Sequence, residues 1–152
     1  MTSMNVNGIA TKQDKQRSLR GLMLGIAGCV PSADIALLQE VKLSERDHIT
    51  TDACQALADN VFPGMTSYWT PFVGAGLRSG IEATSVTTTH GGRVMTLRIG
   101  DTEVVNAPSA KQDGGVEKKL FFNALAAELT QPADDETPRI LAGDWNVPDA
   151  AY

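Results

Sequence analysis

At 152 residues the chain has room for one domain with one core. Its 42% hydrophobic and 20% charged content is that of a globular protein and excludes a disordered or low-complexity chain. With 18 acidic against 13 basic side chains the net charge is −5, which excludes a broadly basic nucleic-acid binder and leaves room only for a local basic strip.

Taken in order, Met1 to Ile9 reads as a short strand carrying Asn5-Val6-Asn7-Gly8-Ile9 at its end. Lys12 to Ala27 reads as a helix, with Leu19, Leu22, Met23 and Ile26 at the spacing of a core-facing stripe and Gly28 and Pro31 to stop it. Lys12, Lys15, Arg17 and Arg20 are either a basic strip for a polyanion or the solvated face of that helix. Asp34 to Leu38 is an apolar run expected to be a strand buried on both faces. Strand, helix and strand within about forty residues predict a right-handed crossover. Ser44 is the expected cap of a polar helical stretch that continues through Ala53 to Ala58, on which His48 is a surface residue.

From Met65 to Ala107 the texture becomes β-rich. Strands are expected at Ser67–Thr70, Gly80–Thr84, Val94–Ile99 and Glu103–Asn106. Gly74-Ala75-Gly76, Gly91-Gly92 and Gly100-Asp101 read as turns, with His90 a turn residue. Val116 to Leu129 is a helix with Leu120, Phe121, Leu125 and Leu129 on its apolar side, and Gln131 to Pro138 an acidic loop. Ile140 to Ala142 is a final strand. No repeat or linker interrupts residues 1–152. Neither a membrane-length apolar run nor a basic-then-apolar leader is present, so an intracellular protein is expected. Cys29 and Cys54 lack metal-ligand spacing and disulfide-scaffold density, and are expected to be free thiols without a disulfide partner.

The final strand runs into Gly143-Asp144-Trp145-Asn146. Alternate residues of a strand face the same side, so Asp144 and Asn146 emerge together if the strand persists, at the strand end where open α/β sheets place their sites. A carboxylate there can bind a cation or take a proton, and an amide can orient a phosphate oxygen. Alone, this pattern is equally well a polar turn after a strand. Trp145, between them, should point the other way and pack.

In order along the chain, Asn-x-Asn-Gly at Asn5, Leu-Gln-Glu-x-Lys at Leu38 to Lys42 and Gly-Asp-x-Asn at Gly143 to Asn146 resemble the endonuclease/exonuclease/phosphatase superfamily. Within it the look is of the exonuclease III and apurinic endonuclease branch, and most of all of the endonuclease domains of LINE-type retrotransposons. The resemblance implies an α/β fold, a deoxyribonuclease I-like α/β/β/α sandwich of two sheets with helices outside. It implies a monomeric, Mg²⁺-dependent phosphodiesterase, with Mn²⁺ as a substitute ion, acting on DNA.

Phosphodiester hydrolysis needs a neutralised phosphate, an activated water and a stabilised leaving oxygen. A hard cation supplies much of this with few protein ligands, mostly carboxylates. Glu40 matches the family's principal metal carboxylate and ends a buried strand, where an unpartnered charge is costly. Its plain alternative is an exposed glutamate beside Lys42. Asn5 matches the asparagine at the metal and phosphate. Asn7 matches a position that is Asp or Asn in relatives, or is a turn residue before Gly8. Asp144 matches the aspartate that orients or deprotonates the attacking water, and Asn146 the asparagine that holds a phosphate oxygen.

The chain departs from the pattern at two places. Relatives carry Asn-x-Tyr-x-Pro before the long helix, where this chain has Val104-Val105-Asn106-Ala107-Pro108. Either the tyrosine and its neighbour are deleted, or Asn106 stands in the tyrosine's place. Lys118 or Lys119, not arginine, precedes Phe121-Phe122. In the family the chain also continues past Gly-Asp-x-Asn to further strands, an aspartate and an Asp-His motif, a role that neither His48 nor His90 fits. Residues 1–152 are thus expected to form the first two-thirds of the fold, with the C-terminal part missing, apolar sheet surface exposed and activity impaired. A phosphatase of the same superfamily, a nucleic-acid or protein binding module and a catalytically dead remnant are the alternatives.

Overall fold

The computed structural model describes residues 1–6, 24–25, 27–28, 33–43, 50–108, 115–130 and 137–144. Two four-stranded sheets face each other. The first comprises β1 (Thr2–Asn5), β2 (Ile35–Gln39), β3 (Met65–Trp69) and β4 (Val73–Arg78), in the order β1-β2-β4-β3. The second runs β5-β6-β7-β8 through β5 (Ser85–Thr89), β6 (Val94–Ile99), β7 (Thr102–Asn106) and β8 (Arg139–Ala142). Helix α1 (Thr51–Val61) covers the first sheet and α2 (Gly115–Leu129) the second. The result is the α/β/β/α sandwich expected from the sequence.

The unbroken apolar run of β2 reflects burial on both faces, as expected. Leu37 packs between the sheets with Val73, Ala75, Met95, Leu97 and Val104. Ala36 and Leu38 point the other way, toward Met4, Phe62, Met65 and Trp69. Each fully buried side chain of this size contributes about 1.5–3 kcal/mol relative to exposure. The register of β1 on β2 is parallel, with Asn5 opposite Gln39. That of β7 on β8 is also parallel, with Asn106 opposite Ala142.

Several expectations are corrected. Gly74-Ala75-Gly76 is not a turn but the middle of β4. Val73, Ala75 and Leu77 are buried, and the glycines alternate with them on the outer face. A methyl on Gly74 would lie 2.6 Å from the Trp69 ring, so the glycines are the floor on which Trp69 and Met65 rest. The fifth strand is Ser85–Thr89 rather than Gly80–Thr84, because Gly80 takes a left-handed φ of 91° in the turn. The β-branched residues Val86 to Thr89 then pair with β6.

Helix α1 begins at Thr51, where the Thr50 hydroxyl accepts the Ala53 N–H at 3.2 Å. On α2, Phe121, Leu125 and Leu129 pack against Val94, Val105 and Ala107, but Leu120 is 62% exposed. The packed stripe runs i, i+4, i+8, which leaves Leu120 off the face. Arg139 ties the start of β8 to both neighbours, donating to the Leu129 carbonyl at 2.8 Å and to Glu103 at 2.7 Å. His90 does lie in a turn, with a left-handed φ of 51°, and its ring meets Glu128 of α2 at 2.9 Å. Cys54 is a buried free thiol, pushed up to about 11 by that burial. Most of the expected helix Lys12–Ala27, including its basic strip and apolar stripe, lies outside the described residues, as do Cys29, Ser44 and His48.

Candidate active site

Two parallel strand pairs, one in each sheet, end at the same place, and each delivers one carboxylate just past its last residue. Asn5 closes β1, Glu40 follows the last residue of β2, and Asp144 stands two residues beyond β8. The Asn5 side-chain nitrogen donates to Glu40 Oε1 at 2.9 Å and to Asp144 Oδ2 at 2.6 Å. These three residues lie 35 and 139 positions apart in the chain. An NH₂ group must face both carboxylates here, since an amide oxygen would be repelled by each.

The local backbone aims these groups. Gly143 passes so close to the residue that follows β7 that a methyl there would collide with the Ala107 carbonyl oxygen. The glycine before Asp144 is therefore a requirement of close approach. Gly143→Ala is expected to lower stability by about 1–3 kcal/mol through the forced backbone shift. The check is urea unfolding against Gly28→Ala, where nothing lies within 4 Å of the added methyl. On the other sheet Glu40 and Lys42 both take left-handed φ values, 54° and 55°, on either side of a fully buried Val41.

Glu40 is held below the usual carboxylate value. The main cause is the hydrogen bond from Lys42, helped by the Asn5 amide and the Lys42 charge and opposed by partial burial and by Asp144. Two carboxylates meet here on one neutral donor, and Glu40 also pairs with the Lys42 ammonium. Among the described residues no group of three or more His, Cys, Asp or Glu side chains gathers, so no zinc-type cage is formed there. Two carboxylates and a carboxamide, all hard donors and only partly buried, instead suit a cation such as Mg²⁺ that takes few protein ligands.

Asn5, Glu40 and Asp144 are thus brought together, while Asn7, Trp145 and Asn146 lie outside the described residues. Beneath the site is a polar bridge that sequence reasoning missed. Gln39 is 1% exposed, and its amide donates to Ser3 at 3.0 Å and to Asn106 Oδ1 at 2.7 Å. Asn106, fully buried, donates to the carbonyls of Leu38 and Gly74 across the sandwich. The available signal was Gln39 itself, an amide inside an apolar strand that must find a buried partner.

No family model matches the chain, and no curated relative does. Solved structures match the fold. An AP endonuclease from Archaeoglobus fulgidus aligns with a TM-score of 0.63 at 20% identity, covering 94% of this chain and 55% of its own. The 3'-5' exonuclease NExo from Neisseria meningitidis aligns at 0.58 and 20%, covering 96% and 57%. TDP2 from C. elegans aligns at 0.60 and 17%, covering 97% and 47%. The likeness shows the endonuclease/exonuclease/phosphatase fold, and the chain spans about half the length of these structures.

Proposed function

We propose that the chain is a divalent-cation-dependent phosphodiesterase unit that nicks DNA, of the kind carried by LINE-type retrotransposons. The carrying observation is the meeting of Asn5, Glu40 and Asp144, drawn from three distant stretches, at the shared end of the two sheets. Glu40 and Asn5 would hold Mg²⁺ or Mn²⁺, which supplies charge to the phosphate when bound. Asp144 orients a water for attack on phosphorus and takes its proton as the P–O bond to one sugar breaks. By the resemblance, Asn146 holds a phosphate oxygen and Asn7 supports the cation side. The unit works as a monomer.

The excess of acidic over basic side chains predicts weak, salt-sensitive DNA affinity rather than a tight grip. The test is nicking of supercoiled plasmid by the purified chain, with Mg²⁺ and with a chelator. Mg²⁺-dependent nicking supports the reading. Salt-dependent DNA binding without nicking, from a demonstrably folded chain, would mean a binding module instead.

A further inference from the structure

Both oxygens of the Glu40 carboxylate are already engaged by the protein. Oε1 accepts from Asn5 at 2.9 Å, and Oε2 faces the Lys42 ammonium at 2.7 Å. An ion pair on a surface is ordinarily worth little, and about half of the Lys42 side chain is exposed. What sets this pair apart is the backbone that makes it. Glu40 and Lys42 are both left-handed, a conformation that is strained for a non-glycine residue.

The conformation is pinned from below. Val41 is fully buried, its N–H donates to the Phe72 carbonyl at 2.9 Å, and the Leu43 N–H donates to the Pro71 carbonyl at 2.9 Å. With Val41 sunk in the core and the chain tied on both sides of it, Glu40 and Lys42 emerge together. Strain of this kind persists only where the surroundings over-determine it, and it gathers at functional sites.

We infer that Lys42 is a built-in counter-ion that competes with the divalent cation for the Glu40 carboxylate, so that cation binding must displace the ammonium. The inference rests on the reading of Glu40 as a cation ligand. It has a consequence opposite to that of a lysine that merely supports the site. Removing the Lys42 charge tightens cation binding, because the carboxylate no longer has to be taken from a positive partner.

The test is Mn²⁺ binding to the intact chain, followed by the electron paramagnetic resonance of the free ion, with no substrate present. Lys42→Met keeps most of the aliphatic stem and removes the charge. It is expected to tighten Mn²⁺ binding by about two- to fivefold, an effect of the size expected from losing one partly exposed charge pair. Lys42→Arg, which keeps the charge, is expected to bind as wild type does. Glu40→Gln is expected to abolish binding in both the wild-type and the Lys42→Met backgrounds. Circular dichroism and thermal unfolding of each variant establish that it is folded.

Unchanged or weaker binding in folded Lys42→Met overturns the inference, as does tightening that survives Glu40→Gln. If wild type binds Mn²⁺ through Glu40 and Lys42→Met changes nothing, the counter-ion role alone falls. If neither wild type nor Lys42→Met binds the ion, the reading of Glu40 as a cation ligand falls with it. A Lys42→Met chain that loses stability without gaining affinity marks the lysine as structural and likewise overturns the inference.

Discussion

Glu40→Gln and Asp144→Asn are each expected to lower the rate of Mg²⁺-dependent plasmid nicking by about 10²–10³, the usual cost of removing one transition-state group. Both substitutions keep the size of the side chain, so loss of packing is not the cause. They act through charge. Glu40→Gln replaces an oxygen that faces Lys42 with an NH₂ and removes the anion expected to hold the cation. Asp144→Asn leaves an amide unable to accept the proton from water. The loss is expected on the rate of the chemical step, where both charges are proposed to act.

The double variant should be far less impaired than the product of the two single losses. Both carboxylates share the Asn5 amide, and groups that act as a unit are not additive. Full nicking by a folded Asp144→Asn chain would remove this residue from the mechanism. Nicking that the double variant loses in strict proportion would mean that the two carboxylates work independently despite their common partner.

The site is legible in the sequence to the extent that strand ends are. An apolar run followed by a carboxylate marks β2 with Glu40 and β8 with Asp144, and the buried-both-faces reading of β2 holds. What linear pattern cannot say is that two parallel pairs, one in each sheet, finish at the same level. That alignment places Asn5 within hydrogen-bonding distance of both carboxylates. The misread elements have a common physical origin. Gly74 and Gly76 are small because Trp69 and Met65 lie on them, which local propensity reads as a turn. Leu120 is apolar yet exposed, so composition placed it on a stripe that its angular position excludes. In each case the deciding fact is spatial, the side chain that lies over the glycine or the angular position of Leu120 on its helix, and not local composition.

Asn106→Ala is expected to destabilise the chain by about 2–4 kcal/mol. For a domain whose total stability is of order 5–15 kcal/mol, this is a large fraction. Asn106 is the last residue of β7 and fully buried. Its NH₂ reaches the Leu38 carbonyl at 3.1 Å and the Gly74 carbonyl at 3.0 Å, both in the opposite sheet, and its oxygen accepts from Gln39. Alanine deletes all three bonds and leaves a cavity. Gln39 keeps only its bond to Ser3, so part of a buried amide is left without a partner.

Asn106→Asp should be worse still. It keeps the shape but turns an oxygen toward two carbonyls and buries a charge. Asn106→Leu separates packing from polarity, since it refills the volume while leaving the Gln39 amide facing hydrocarbon. Urea unfolding followed by the far-ultraviolet circular dichroism of the sandwich gives the order, with Asp least stable and Leu no better than Ala. A Leu variant as stable as wild type would show that the bridge adds nothing to stability. Its remaining role would then be to fix Leu38 and Gln39, and so the carboxylate that follows them. Mn²⁺ affinity reads that role directly, because a displaced Glu40 weakens binding in a chain that is otherwise intact.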